Sequence, residues 1–399
     1  MIVVSELSHQ PGIFDELGEI LMKKTHHFFL VPGFFGFANL GEFYYFSHPY
    51  ELLKTNGPLR GIDVRVTRVP THPTASLRKR ALTLFHTIKR EAGCHSGPIH
   101  IIGHSSGGLD GRLLLTPGVM LKKGLDLEPL LSRVDSLVTI STPHRGTPLA
   151  WYFGSSMGQT LLKLLSLATI YSLRFGHLPI SFVFKLAGLL VQLDNNFGWR
   201  NTLADQLFGE LLSDFSPTRR QQVGEYFKEV GSDQALVFQL TPDSMDVFDA
   251  STADRPGVKY GSVVTMGRRP GLGSRLASGF NPYDQVTHTA YEIMHRVSAR
   301  VKSDNDVCSP EQRTTLRKYL GRLPSWRDND GVVPSLSQVW GEVVHAIRAD
   351  HLDVIGHFTD KDRNPPHVDW LASGSDFNYR DFYMIWDKVL DYCLSDPAG

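Results

Sequence analysis

The sequence predicts an α/β protein: a mostly parallel central sheet with flanking helices and a helical insertion. Three observations predict it. Strand and helix signals alternate through the first 150 residues, and the stretches that carry chemistry follow the ends of strands. From 151 to about 240 the pattern turns almost wholly helical before a strand signal returns. The expected organisation is one domain over residues 1–399, with a helical lid or cap at 151–240 and a flexible insertion at 267–282.

The elements follow in order. "HHFFLV" (26–31) is an apolar run stopped by Pro32-Gly33 and reads as a buried strand. "DVRVTRV" (63–69) alternates with period two. In "SLRKRALTLFHTIKRE" (76–91), Leu77, Ala81, Leu84 and Ile88 fall at helical spacing behind a Ser cap. "IHII" (99–102) is a strand, Gly107–Leu115 opens a helix, and "SLVTIS" (136–141) is a strand again. Strands separated by helices imply right-handed crossovers in a parallel sheet, with ligands at the carboxyl ends of its strands. "YGSVVTM" (260–266) reads as a strand returning to that sheet. "GRRPGLGSRLASGFNP" (267–282) is rich in Gly, Ser and Pro, the composition of a loop. The last third reads as short loops and helices ending in "DFYMIWDKVLDYCL".

Composition narrows the class of partner. Apolar residues make up 41 % and charged residues 21 %, which is an ordinary globular balance. Lys+Arg and Asp+Glu are equal at 41 each, so nucleic acid and anionic membrane surfaces are not favoured. The three cysteines are too far apart for a metal motif and allow at most one disulfide. The N-terminus lacks a basic stretch followed by an apolar one, so a cleaved signal peptide is not visible. Lys163, Arg174 and Lys185 interrupt the most apolar region, leaving no run of the ~18 residues a membrane span needs. The chain reads as soluble, either cytoplasmic or exported without a cleaved signal.

The most informative stretch is "PIHIIGHSSGGLDGRLLL" (98–115). Gly103-His104-Ser105-Ser106-Gly107 fits G-x-S-x-G, with a strand before it and a helix after it, the context the motif requires. The two glycines leave room around a serine in a sharp turn, and the helix N-terminus faces developing negative charge. The elbow spacing selects Ser105 over Ser106 as the nucleophile. A serine nucleophile needs a base, and the base needs an orienting carboxylate, in the chain order Ser, acid, His. "WRDNDGVVP" (326–334) and "RADHLDVIGHF" (348–358) supply candidates. Asp330 is preferred to Asp328 because it directly precedes Gly331 in a turn. Among 17 histidines, His351 stands out by its place after that acidic turn. The backbone N–H of Ser106 supplies one donor to an oxyanion, and Gly33-Phe34 in "FFLVPGFFGF" can supply the second.

These blocks together resemble the secreted bacterial triacylglycerol lipases of the Pseudomonas and Burkholderia type, in the α/β-hydrolase superfamily. "VPGFFGFANLGEFYYF" (31–46) is similar to the family's oxyanion block and "IIGHSSGG" to its serine elbow. "STPHRGTPLA" (141–150) is similar to the block after the next strand. "LTPDSMDVFD", "VKYGSVVT", "NDGVVP" and "DHLD" follow in order. The resemblance covers roughly 26–152 and 240–358, and departs where Pro32 and Ser106 stand in place of the usual His. It implies an α/β-hydrolase fold, with Ser105 as nucleophile, Asp330 as acid, His351 as base, and Phe34 and Ser106 as backbone oxyanion donors. It also implies a structural calcium near the histidine, held by Asp353 and, some twenty residues before the acid, by Asp306.

The expected activity is therefore hydrolysis of acylglycerols or similar lipid esters. The apolar helices at Leu161–Leu193 are expected to act as a lid in transient contact with a lipid interface, and no organic cofactor is expected. An acyltransferase or a polyester depolymerase would use the same three residues. A non-catalytic lipid-binding protein on this fold is the alternative of a different class.

Overall fold

In the computed structural model the described residues are 24–34, 45–194, 201–301, 305–362, 366–369 and 371–396. The N-terminal reading and positions 35–44 of the oxyanion block lie outside them. Strand β1 (His26–Val31) is followed by helix α1 (Ser47–Leu59), strand β2 (Val64–Arg68) and helix α2 (Leu77–Ala92). Ser76 caps α2, its hydroxyl accepting from the Lys79 N–H at 3.4 Å. Strand β3 (Ile99–His104), helices α3 (Ser106–Leu115) and α4 (Glu128–Leu131), and strand β4 (Val134–Ile140) complete the first half.

The chain between β4 and the next strand is a series of helices. They are α5 (Leu149–Phe153), α6 (Ser156–Phe175), α7 (Ile180–Asp194), α8 (Asn201–Ser213), α9 (Pro217–Ser232), α10 (Ala235–Gln239) and α11 (Pro242–Ser251). Strand β5 (Lys259–Thr265) then returns to the sheet. It is followed by α12 (Leu272–Ala277), α13 (Pro282–Ser298), α14 (Pro310–Leu320), strand β6 (Glu342–Ile347) and α15 (Tyr379–Leu394). Two details differ from the sequence reading. Strand β6, "EVVHAI", is a further strand in the last third, short and begun by an exposed Glu342. The Gly-rich stretch 267–282 is not all loop: it holds α12, tied down by Arg275 to Glu292 of α13 at 2.8 Å.

The six strands form one parallel sheet in the order β2-β1-β3-β4-β5-β6. This is the α/β-hydrolase architecture. The chain steps outward from β1 to β2 and then crosses back to β3, so the switch in direction lies between β1 and β3. Their register pairs Val31 with Gly103, which sets the end of β1 beside the serine turn.

Period-two alternation divides the core. Phe28, Leu30, Ile102 and Val138 face one side of the sheet, where they join a cluster containing Leu162, Leu165, Phe182 and Leu189 of the inserted helices. Phe29, Val31, Ile101 and Leu137 face the other side, against α2 and α3. A fully buried leucine contributes roughly 1.5–3 kcal/mol of transfer free energy, which explains why α6 and α7 are apolar on so many positions. Leu165 and Leu189 are fully buried, whereas Ile180 and Phe184 of α7 are about half exposed. Among the described residues no helix is long and apolar enough to cross a membrane. Cys94, Cys308 and Cys393 are all free, so the one disulfide the count allows is not formed.

Candidate active site

The site forms at the carboxyl ends of β1, β3 and β5 and in the loop after β6. Ser105 is the pivot between β3 and α3, with φ 54° and ψ −132°, a conformation that costs a side-chain-bearing residue energy. Glycine is required on both sides of it. A methyl group at Gly103 would collide with the backbone of Gly107 and Gly108, and one at Gly107 with the Val31 carbonyl. The Ser105 N–H donates to the Ile140 carbonyl at 2.8 Å, fixing the turn to β4.

Three separate loops meet here. The Ser105 Oγ lies 3.0 Å from His351 Nε2, and His351 Nδ1 lies 2.8 Å from Asp330 Oδ2. All three residues are buried. Asp330 is held in an Asx turn: its Oδ1 accepts from the N–H groups of Val332 and Val333 at 2.9 and 2.7 Å. Gly331, at φ 94°, allows that turn. The Oδ2 atom also accepts from the Thr265 hydroxyl at 2.8 Å and from Gln338 Nε2 at 3.1 Å. Thr265 is the last residue of β5, so the sheet itself sets the carboxylate.

Asp328, the acid passed over at the sequence level, has another task. It is buried and bonded by Arg269 at 2.7 Å and Arg322 at 2.6 Å. Burial alone would raise its pKa, but hydrogen bonds from Arg322, Arg269 and Ser325 hold it well below the usual carboxylate range.

Phe34 lines the same small apolar pocket as Ser105 and His351, with Phe153, Val237 and Leu240 closing it. The pocket volume is about 30 Å³, room for little more than a water molecule, so an acyl chain must displace its lining. A methyl at Gly33 would strike the Ser105 side chain, which shows how closely the β1 loop approaches the serine. Arg80 anchors that loop: its Nη2 donates to the Pro32 carbonyl at 2.6 Å while the guanidinium grips the buried Asp110 at 2.7 Å. Ser106 opens α3, so its N–H is one of the helix-start donors without an intrahelical acceptor. Its side chain adds nothing to that, since the buried Ser106 Oγ makes no hydrogen bond among the described residues.

The residues proposed for calcium are not brought together. The Asp306 carboxylate is largely exposed and paired with Arg313 beside α14. What gathers about Asp353 is instead Asp350 and Asp369, with one oxygen from each of the three within 4.8 Å of the others. The Asp350 Oδ1 accepts from the N–H groups of Leu352 and Asp353 at 3.0 and 3.1 Å, while its Oδ2 is buried without a partner among the described residues. Burial, together with repulsion from the neighbouring carboxylates, raises the pKa of both Asp350 and Asp353 well above the usual range. Two buried carboxylates, a half-buried third and an unpartnered oxygen fit a hard divalent cation such as calcium. Asp350 was legible in "RADHLD", immediately before His351; Asp369 is isolated in the sequence and had no such signal.

No protein-family model matches the chain, and no curated protein does. Among solved structures, the chain is similar to EstA from Clostridium botulinum at 18 % identity, with 91 % of this chain and 87 % of that one covered, and a TM-score of 0.49. It is similar to Staphylococcus hyicus lipase at 17 % identity, with coverage of 93 % and 95 % and a TM-score of 0.48. For lipase 1 from Pelosinus fermentans the values are 17 %, 94 %, 100 % and 0.49.

Proposed function

We propose that the protein is a serine hydrolase of carboxylic esters, with Ser105 as nucleophile, His351 as general base and Asp330 as its orienting acid. The observation that carries this is the unbroken contact from Ser105 Oγ through both nitrogens of His351 to Asp330, on a serine held in elbow geometry. Ser105 Oγ attacks the ester carbonyl as His351 Nε2 takes its proton, and the N–H groups of Phe34 and Ser106 receive the oxyanion. His351 then gives the proton to the leaving alcohol. In the second half it takes a proton from water, whose oxygen attacks the acyl-enzyme, and it returns that proton to Ser105 Oγ as the bond to the acyl carbon breaks and the acid leaves.

The substrate class follows from the pocket. Phe34, Leu149, Phe153, Val237 and Leu240 offer aliphatic and aromatic surface, which favours lipid esters such as acylglycerols over polar ones. Helices α5 and α10 supply much of that surface, and the helices from α5 to α10 act as the lid, opening at a lipid interface. On this reading the protein would be a lipase resembling the Pseudomonas and Burkholderia type. A divalent cation at Asp350, Asp353 and Asp369 would fix the loop that begins at His351; its chemistry there is charge neutralisation.

A series of p-nitrophenyl esters from two to sixteen carbons tests the substrate class. In the Val237→Trp variant, long-chain turnover is expected to fall at least about tenfold more than acetate turnover, since the added ring fills acyl space. An equal loss at every chain length would contradict the assignment of that pocket to the acyl chain.

A further inference from the structure

Behind the serine runs a second set of contacts that the hydrolytic scheme does not use. His104 immediately precedes Ser105, and its ring is buried between two groups. Its Nε2 lies 2.9 Å from the backbone carbonyl of His351, and its Nδ1 lies 2.6 Å from the Tyr45 hydroxyl. Every donor and acceptor in this set is fixed by elimination. The His351 carbonyl can only accept, so His104 Nε2 carries the proton. Burial, reinforced by the nearby His351, holds the His104 pKa well below its ordinary value, so the ring is neutral and Nδ1 is bare. Nδ1 therefore accepts, and the Tyr45 O–H donates. Burial likewise keeps that phenol protonated, and its oxygen is hydrogen-bonded by the backbone of Gly33.

The last contact falls on a particular peptide unit. The Gly33 N–H and the Pro32 carbonyl belong to the same amide plane, and Arg80 already holds that carbonyl. With both ends of the plane gripped, its rotation is blocked, so only the φ and ψ of Gly33 remain to set the direction of the next N–H, that of Phe34.

We infer that Tyr45 and His104 are positioning residues that couple the Gly33–Phe34 oxyanion loop to the backbone of His351 through one hydrogen-bonded bridge. The bridge rests on the serine-hydrolase reading for its purpose: the donor to the oxyanion and the proton acceptor are held in a common frame, so neither shifts as charge moves between them. Preorganisation of this kind acts on the transition state more than on the bound ester.

Two measurements on the full chain test it. Tyr45→Phe deletes one oxygen, and kcat for a p-nitrophenyl ester is expected to fall about tenfold or more while KM stays within about twofold. A kcat within about twofold of wild type, in folded protein, overturns the positioning role. The second measurement needs no active variant. In ¹⁵N-histidine spectra of the wild type, with His104 assigned by its loss in His104→Gln, Nε2 is expected to carry the proton and Nδ1 to be an acceptor between pH 6 and 8. A proton on Nδ1, or on both nitrogens, overturns the bridge. A wild-type protein that hydrolyses no ester overturns the hydrolase reading itself, and the histidine spectrum then decides the bridge alone.

Discussion

Asp330 holds His351 at two points: the His351 backbone N–H donates to the Asp330 carbonyl at 3.0 Å, and its ring Nδ1 meets the Asp330 carboxylate at 2.8 Å. The ring's orientation and its tautomer are thus set by one residue. Asp330→Asn separates the two effects. The two N–H groups of Val332 and Val333 claim the amide oxygen, which turns the amide NH₂ toward His351. Nδ1 must then accept, the ring proton moves to Nε2, and the base facing Ser105 is lost. The expected outcome is a fall in kcat of about 10³- to 10⁴-fold with the fold unchanged by circular dichroism. A loss below about tenfold would show that Asp330 does not set the tautomer.

Much of this was legible in the sequence because it depends on local chemistry. Short apolar runs gave β1, β3 and β4 to within two residues at each end and period-two alternation gave β2, and the elbow spacing together with Asp330-Gly331 singled out the residues that meet. What was not legible depends on contacts distant in sequence. Thr265 and Gln338 fix Asp330 from 65 residues before it and eight after it; Thr265 ends the "VKYGSVVT" block, but nothing in that block ties it to Asp330, and Gln338 lies in no block. Asp306 was placed by its distance from the acid along the chain, but a metal site is set by distance in space. The turn around His351 supplies Asp350 and Asp353, one on each side of the histidine, and Asp369 comes in from beyond it. Strand β6 was missed because its run is short and interrupted by His345.

Removal of a divalent cation tests the corrected cluster. Chelation is expected to lower the melting temperature by about 5 °C or more and to reduce ester hydrolysis with it, because a ligand bound by the folded state alone stabilises that state. Asp353→Asn and Asp350→Asn should abolish the response to chelator, while Asp306→Asn keeps it. A melting temperature indifferent to chelator in the wild type, with no bound metal by elemental analysis, would remove the site.

Asp328 gives a stability prediction with a definite sign. Its folded-state pKa is depressed, so its ion pairs with Arg269 and Arg322 contribute fully above the unfolded carboxylate value of about 3.9. That contribution is lost progressively as pH falls below this value toward the folded one. Urea midpoints measured from pH 7 down to pH 3 should therefore be lower for Asp328→Asn at neutral pH, with the gap beginning to narrow below about pH 4. A constant gap between the two proteins across that range would mean that the carboxylate charge is not what stabilises the loop.

The central claim is that Ser105 is a nucleophile activated by His351, and the most direct measurement is the site of covalent capture by a fluorophosphonate, read by peptide mass spectrometry. The account predicts one adduct per chain, on Ser105, in the wild type and in Ser106→Ala, where the backbone N–H of residue 106 is retained. It predicts none in Ser105→Ala, and slow labelling in His351→Ala. An adduct on Ser106, undiminished labelling of Ser105→Ala, or an unlabelled but folded wild-type protein would contradict it.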